Sequence, residues 1–262
     1  MDLGLAGKVA MVAGGSAGIG RAVARVLAAE GAHIAVCARS SDGLRDVQRE
    51  ISTLADVEVL TVQADFSRSE DIERFVQETA DYFGGVDIFA NSVGSSMFGS
   101  FEQVPDERWV SDINLKLFGA VRACRAVIPH MRARGGGRIV NIAGNSGKQP
   151  YMWHYPGGAA KAALLHFTHA LAQEFCKDNI LVTAVCPGPV ETRRLRKQIE
   201  ALAALWSVPL EEAEKDFYQS QPMGRAATPD EVAYLVAFLV SDKASYISGT
   251  YITIDGCITK CI

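Results

Sequence analysis

KVAMVAGGSAGIGRAVARVLAAE, residues 8–30, is the stretch that decides the fold. Residues 8–13 form a nearly continuous apolar run, which suits a strand buried on both faces of a sheet. A glycine-rich turn follows at once, Gly14-Gly15-Ser16-Ala17-Gly18-Ile19-Gly20, and then an amphipathic run with helical spacing over 20–30. Glycines let the backbone turn tightly and approach a phosphate, and the free N–H groups at the start of the next helix face that phosphate. A plain βα turn would use the same glycines. The strand–turn–helix context favours the phosphate-binding reading.

Outward from this unit the alternation continues. Strands are predicted at 33–38, 58–63, 86–90, 138–142, 181–185 and 250–255, and helices at 43–54, 70–83, 106–131, 159–177 and 230–240. Such alternation implies right-handed crossovers, hence an α/β fold of three layers, doubly wound, with a parallel seven-stranded sheet and helices on both faces. Ligands in these sheets bind at the carboxyl ends of the strands. With no repeat, linker or low-complexity tract, residues 1–262 are expected to form one domain.

Composition narrows the partners. The net charge of −4 and the scattered Lys and Arg residues give no basic field for nucleic acid or an anionic membrane. No apolar stretch approaches a membrane span, and the first residues lack the features of a signal peptide. Of the six cysteines only Cys257 and Cys261 are close, four apart in the tail, and they read as two unpaired thiols rather than a metal site, which would need further ligands. A reduced, cytoplasmic chain without a metal is expected.

The turn has the spacing G-x-x-x-G-x-G. Further along come Asp65, Asn91-Ser92-Val93-Gly94, Asn114, GRIVNI at 137–142, Lys161-Ala162-Ala163-Leu164 and Pro187-Gly188-Pro189-Val190-Glu191-Thr192. The chain then closes with PMGRAATPDEVAYLVAFLVSDKASYISGTYITIDG. These pieces, in this order, resemble the short-chain dehydrogenase/reductase superfamily, whose fold is of the Rossmann type, over essentially the whole chain. The resemblance implies a nicotinamide dinucleotide cradled by Gly14, Ser16, Gly18, Ile19 and Gly20. It puts Asp65 on the adenine amino group with Phe66 beside it, and Asn91 and Gly94 on the adenine ribose side. Lys161 would bond the nicotinamide ribose, and Pro187, Gly188, Val190 and Thr192 would hold the carboxamide. Asn91 has a second reading, as a tie between neighbouring strands.

Coenzyme choice is read at the end of the second strand, where a carboxylate would bind the ribose 2′-OH and repel a 2′-phosphate. Here stands Ala38-Arg39-Ser40-Ser41, with no carboxylate and with a guanidinium suited to a phosphate. NADP(H) is expected rather than NAD(H), the alternative for Arg39 being a solvated surface residue.

The chemical half departs from the family. A Tyr should stand four residues before Lys161 and a Ser about a dozen earlier, but those positions hold Gly157 and Gly144. Tyr155 is the nearest phenol, six residues from Lys161. Four helical residues return to within about 40° of one face, whereas six rotate by about 240°, so Tyr155 must reach in from just before the helix to replace the missing Tyr. Ser146 and Asn145 are shifted past the missing Ser, and His154 reads either as a packing residue or as an acid/base. Tyr151, Met152 and Trp153 are expected as pocket walls. For Asn114 the family role is to bend a helix and hold a relay water, against a purely local hydrogen bond. The expected catalytic set is therefore Asn114, Ser146, Tyr155 and Lys161.

A mobile lid is expected around 192–221. It opens with the cationic run at 192–197, either solvated surface or a contact for an anionic substrate such as an acyl-thioester. The resemblance implies an oxidoreductase moving a hydride to or from a carbonyl, or an activated C=C, of a small organic or acyl substrate. A non-redox enzyme (lyase, hydrolase or isomerase) and a nucleotide-binding protein with a decayed site are the alternatives on this scaffold. Apolar residues on 106–131 and 159–177, with the strand near Tyr251, point to a homotetramer.

Overall fold

The computed structural model describes residues 1–95 and 99–261, with the strand from the head of the chain near the middle of its sheet. β1 (Val9–Ala13) is flanked in parallel by β2 (His33–Ala38) and β4 (Ile88–Asn91). With β3 (Val59–Gln63), β5 (Gly137–Ile142), β6 (Ile180–Pro187) and β7 (Tyr251–Ile254), they form one parallel seven-stranded sheet ordered β3-β2-β1-β4-β5-β6-β7. The winding direction reverses between β1 and β4, which opens a crevice at the carboxyl ends of those strands.

The continuous apolar character of β1 follows from its position. Successive side chains point to opposite faces. Ala10 and Val12 enter the core under α1 (Gly18–Ala29), α2 (Ser41–Leu54) and α9 (Pro229–Val240). Met11 and Ala13 enter the core under α3 (Ser69–Phe83), α5 (Gly119–Ala133) and α6 (Tyr155–Phe175). The expected three-layer α/β fold is the one observed.

Two segments carry structure that the sequence patterns do not detail. The stretch 106–131 is not one regular helix: α4 (Asp106–Ile113) runs into a π-helical turn, Asn114–Phe118, before α5. The stretch 192–221 contains α7 (Arg193–Trp206) and α8 (Leu210–Gln219), which share a small core of Leu195, Ile199, Ala203 and Ala213. The sequence reading misses these two helices because their apolar stripes are narrow and the run opens with charge. Among the described residues, no helix is long and apolar enough to cross a membrane.

Candidate active site and coenzyme cleft

A cavity of about 850 Å³ opens along the carboxyl ends of the strands, from the glycine turn to α6 and under α7. At one end, Gly14 has φ +75° and its missing side chain would stand 3.0 Å from the Ser92 carbonyl oxygen. A side chain at Gly20 would lie 2.3 Å from the Gly14 carbonyl oxygen, so the turn closes only with glycine there. The N-cap of α1, Ala17, provides no side-chain cap, which leaves the first N–H groups of α1 facing the cavity. These features fit a pyrophosphate.

The rest of the cleft follows in order. Arg39 and Ser40 line it just past β2, and Ser40 also caps α2, accepting from the Gly43 N–H at 3.2 Å. Asp65 and Phe66 line it past β3. Asp65 Oδ1 accepts from the backbone N–H and hydroxyl of Ser67, at 2.9 and 2.8 Å. Gly94 lines it past β4, as do Pro187, Gly188 and Val190 at the end of β6. Thr192 also faces the cavity, and its hydroxyl caps α7 by accepting from the Leu195 N–H at 3.3 Å. Asn91 is buried and turned elsewhere. It donates to Asn141 Oδ1 at 3.2 Å, and Asn141 donates to Thr168 at 3.0 Å, a polar chain that ties β4, β5 and α6 together.

Lys161, on the second turn of α6, faces the other half of the cavity and donates to Ser146 Oγ at 3.0 Å. Ser146 sits in a 3₁₀ turn, Asn145–Gly147, directly after β5. Burial, with the charges of Lys116 and Arg194, lowers the Lys161 pKa to about 7. Both glycines that replace the family's Ser and Tyr have had their space taken. Gly144 has φ +87°, and a Cβ there would stand 2.8 Å from Lys161 Nζ. At Gly157 a Cβ would lie 2.3 Å from His154 Cε1, so the buried imidazole occupies the start of the volume a side chain would need.

Tyr155, the first residue of α6, does not line the cavity; its ring lies edge-on to Phe101, with centroids 5.7 Å apart. Helix geometry accounts for this, since six residues from Lys161 its side chain leaves on another face. Tyr151 does line the cavity and its phenol oxygen accepts from Asn145 at 2.9 Å, while burial raises its pKa, so it is a weaker acid than a free phenol. Asn114 also lies outside the cavity lining. Its amide donates to the Ser67 carbonyl at 2.9 Å and accepts from Arg122 at 2.9 Å.

In its place the π turn presents Lys116, a residue the sequence reading passes over. Lys116 is 3% exposed, lines the cavity, and donates to Asp112 Oδ2 at 2.7 Å. The other Asp112 oxygen accepts from the Ser95 hydroxyl. Burial works to raise the Asp112 pKa, but the bonds from Lys116 and Ser95 outweigh it and hold the carboxyl below its usual range. Arg194, on the first turn of α7, donates to the Gly94 carbonyl at 2.6 Å across the cleft. Trp153 lines the wall at φ +64°, a strained conformation for a bulky residue and one found where a site fixes the backbone. The C-terminal segment adds Ile258 to the lining, which no sequence motif announces.

Residues 13–259 match the family model described as enoyl-(acyl carrier protein) reductase. The chain is 34% identical over 257 residues to D-beta-hydroxybutyrate dehydrogenase from Cupriavidus necator, covering 96% of this chain and 98% of that one. It superposes with a TM-score of 0.95 on L-sorbose reductase from Gluconobacter frateurii complexed with NADPH and L-sorbose, at 35% identity and with both chains fully covered. A single-substitution variant of actinorhodin polyketide ketoreductase with NADPH gives a TM-score of 0.94 at 34% identity, covering 97% of this chain and 98% of the other.

Proposed function

This chain belongs to the short-chain dehydrogenase/reductase superfamily, and we propose that it is an NADP(H)-dependent oxidoreductase of small carbonyl compounds or the matching alcohols, with Ser146 and Lys161 handling the proton. The observation that carries this reading is the Lys161–Ser146 hydrogen bond, in the same cavity as the glycine cradle. Gly14, Gly18, Gly20 and the start of α1 would hold the pyrophosphate, and Arg39 the 2′-phosphate. Asp65 Oδ2 remains for the adenine. NADPH in two of the similar structures supports the coenzyme.

Bound in this cleft, the coenzyme supplies a hydride to the carbonyl carbon, or takes one from the alcohol. In the reducing direction the carbonyl oxygen must also gain a proton. Ser146 donates its hydroxyl proton to that oxygen and recovers one from the Lys161 ammonium, to which it is already bonded. A lysine with a pKa about 7 can release and regain a proton at neutral pH, which is what general acid–base work requires. In the oxidising direction the same pair takes the alcohol proton. Tyr155 is not given the donor role expected of it, because its ring packs on Phe101 outside the cavity lining.

Turnover of NADPH with a panel of small ketones, keto acids and enones tests the reading. Ser146→Ala should cut turnover by about a hundredfold or more, with NADPH affinity unchanged within about twofold, and Tyr155→Phe should leave turnover within about threefold. Near-normal turnover in Ser146→Ala would move the role to Tyr151 or His154. The occupied positions of Gly144 and Gly157 favour a second reading, a non-redox enzyme that keeps the nucleotide as scaffold. Tight NADP binding without hydride transfer to any member of the panel would select it.

A further inference from the structure

We propose that the substrate end of the cavity is built for a carboxylate: the acid group of the substrate seats between Lys116 and Arg194, beside Lys161, so that oxo or hydroxy acids are preferred over neutral ketones and alcohols. The inference rests on the oxidoreductase reading and narrows its substrate class. Among the described residues, five Lys and Arg cations line the cavity, Arg39, Lys116, Lys161, Arg193 and Arg194, against one carboxylate, Asp65. Asp65 and Arg39 belong to the far end, past β3 and β2. At the substrate end the nearby counter-charge is Asp112, which stands behind Lys116 and is already bonded to Lys116 and Ser95. Among the described residues, neither Lys161 nor Arg194 forms a salt bridge, and the Arg194 guanidinium bonds the Gly94 carbonyl.

Among the described residues, Lys161 is half-buried with no ion pair, Lys116 is buried with Asp112 as its one counter-charge, and Arg194 is exposed on the cavity wall. A cation partly withdrawn from water without its own counter-charge, as Lys161 is, is costly unless a partner arrives. Lys161 shows the strain of this arrangement, because Lys116 and Arg194 add to burial in weakening its hold on a proton. A bound carboxylate would supply the missing charge and accept the free N–H groups of Lys116 and Arg194 in charge-assisted bonds. A neutral ketone offers no such charge. Nor does an acyl-thioester place its charge here, since its phosphates lie many bonds from the reacting carbonyl. The anion next to Lys161 must belong to the reacting end of the substrate.

Calorimetric titration with succinate, and with succinamide as its neutral counterpart, tests the site in protein saturated with NADP⁺. Succinate should bind at least tenfold tighter than succinamide. That preference should fall to about threefold or less in Arg194→Gln, a substitution at an α7 position that pairs with no carboxylate. It should fall likewise in the double variant Lys116→Met/Asp112→Asn, which removes the buried pair together and leaves no lone buried carboxylate. Equal binding of the two probes, or an unchanged preference in both variants, would overturn the carboxylate site. Failure of NADP⁺ itself to bind counts against the oxidoreductase reading instead, and is seen before any probe is added. The succinate and succinamide titrations on the coenzyme-free protein then still decide the anion site.

Discussion

Arg39 and Lys161 mark the two ends of the cleft, and each gives a measurable consequence. No carboxylate stands at the end of β2, and Arg39 lines the cleft there, so NADPH should bind at least tenfold tighter than NADH, about 1.4 kcal/mol. Arg39→Asp should reverse that order, because it removes the phosphate partner and adds an acceptor for a ribose 2′-OH. Fluorescence titration of both coenzymes decides it, and equal affinities would defeat the argument. Lys161 has consequences for folding as well as chemistry. Its folded pKa, about 7, lies below that of an unfolded lysine, about 10.4. Between those values the unfolded chain holds a proton the folded chain has shed, so this group makes stability rise with pH from about 7 upward. Above about pH 8.5 the buried thiols work in the opposite sense, since Cys124 is pushed up to about 12 and Cys186 to about 11. Lys161→Met should therefore raise the melting temperature of the coenzyme-free protein at pH 7 and flatten its dependence on pH between 7 and 8.5, while abolishing turnover. Melting curves at three pH values check this, and a lower melting temperature at pH 7 would contradict it. Around the missing tyrosine, the packing is not legible in the sequence. Gly157 is plain in the sequence, but only coordinates reveal that the His154 ring fills the space beside it. Nothing in the spacing of YMWHYPGG encodes which side chain turns inward.

At the scale of elements, regular periodicity is easy to read and departures from it are not. The seven strands carry their apolar runs because the sheet is covered on both sides, and the predicted positions overlap all seven observed strands. The stretch 106–131 also has a helical period, yet its π turn changes which residues face the cavity. An i→i+5 turn lets in an extra residue, so a side chain assigned by 3.6-residue spacing lands on the wrong face beyond it. Asn114, at the head of the turn, bonds toward Ser67 and Arg122, while Lys116 within the turn enters the cavity. By contrast, the start of α9 is legible: TPDEV at 228–232 is a capping-box pattern, and Thr228 and Glu231 bond each other's backbone N–H groups. Arg225 adds a bidentate pair to Glu231 at 2.7 and 2.8 Å. The bond from Arg225 is the largest cause, with the Thr228 N–H next, that brings the Glu231 pKa down to about 2. What this carboxylate contributes is present above its ordinary pKa, about 4.3, and is lost as pH falls toward 2. Thr228→Ala should cost about 1 kcal/mol at pH 7, read as a shift of the urea midpoint without a change in slope. An unchanged midpoint would mean that the packing of α9 on α1 alone sets the helix start.

Across the whole molecule, the described surface leaves apolar groups where a neighbour would cover them. Val110 on α4 and Phe118 at the end of the π turn are 68% and 48% exposed. Trp109, Leu117, Leu165, Phe167 and Leu171, on α4, the π turn and α6, are only half-buried. At one edge of the sheet, β7 has a free hydrogen-bonding side and an exposed Tyr251. Unpaired edges and contiguous apolar faces are features that soluble chains cover by association. Two separate surfaces, one on the α4–α6 side and one at β7, suit two different two-fold axes and hence a tetramer of dihedral symmetry rather than a single dimer. Light scattering at micromolar concentration should give a mass about four times 28.1 kDa. If the two surfaces are distinct, they can be broken separately. Phe118→Asp together with Val110→Asp should halve the mass by breaking one interface, and Tyr251→Asp should halve it by breaking the other. Combining all three substitutions should leave monomers. A monomeric mass for the unaltered chain would refute the assembly, and tetramers that persist in the triple variant would place the interfaces elsewhere.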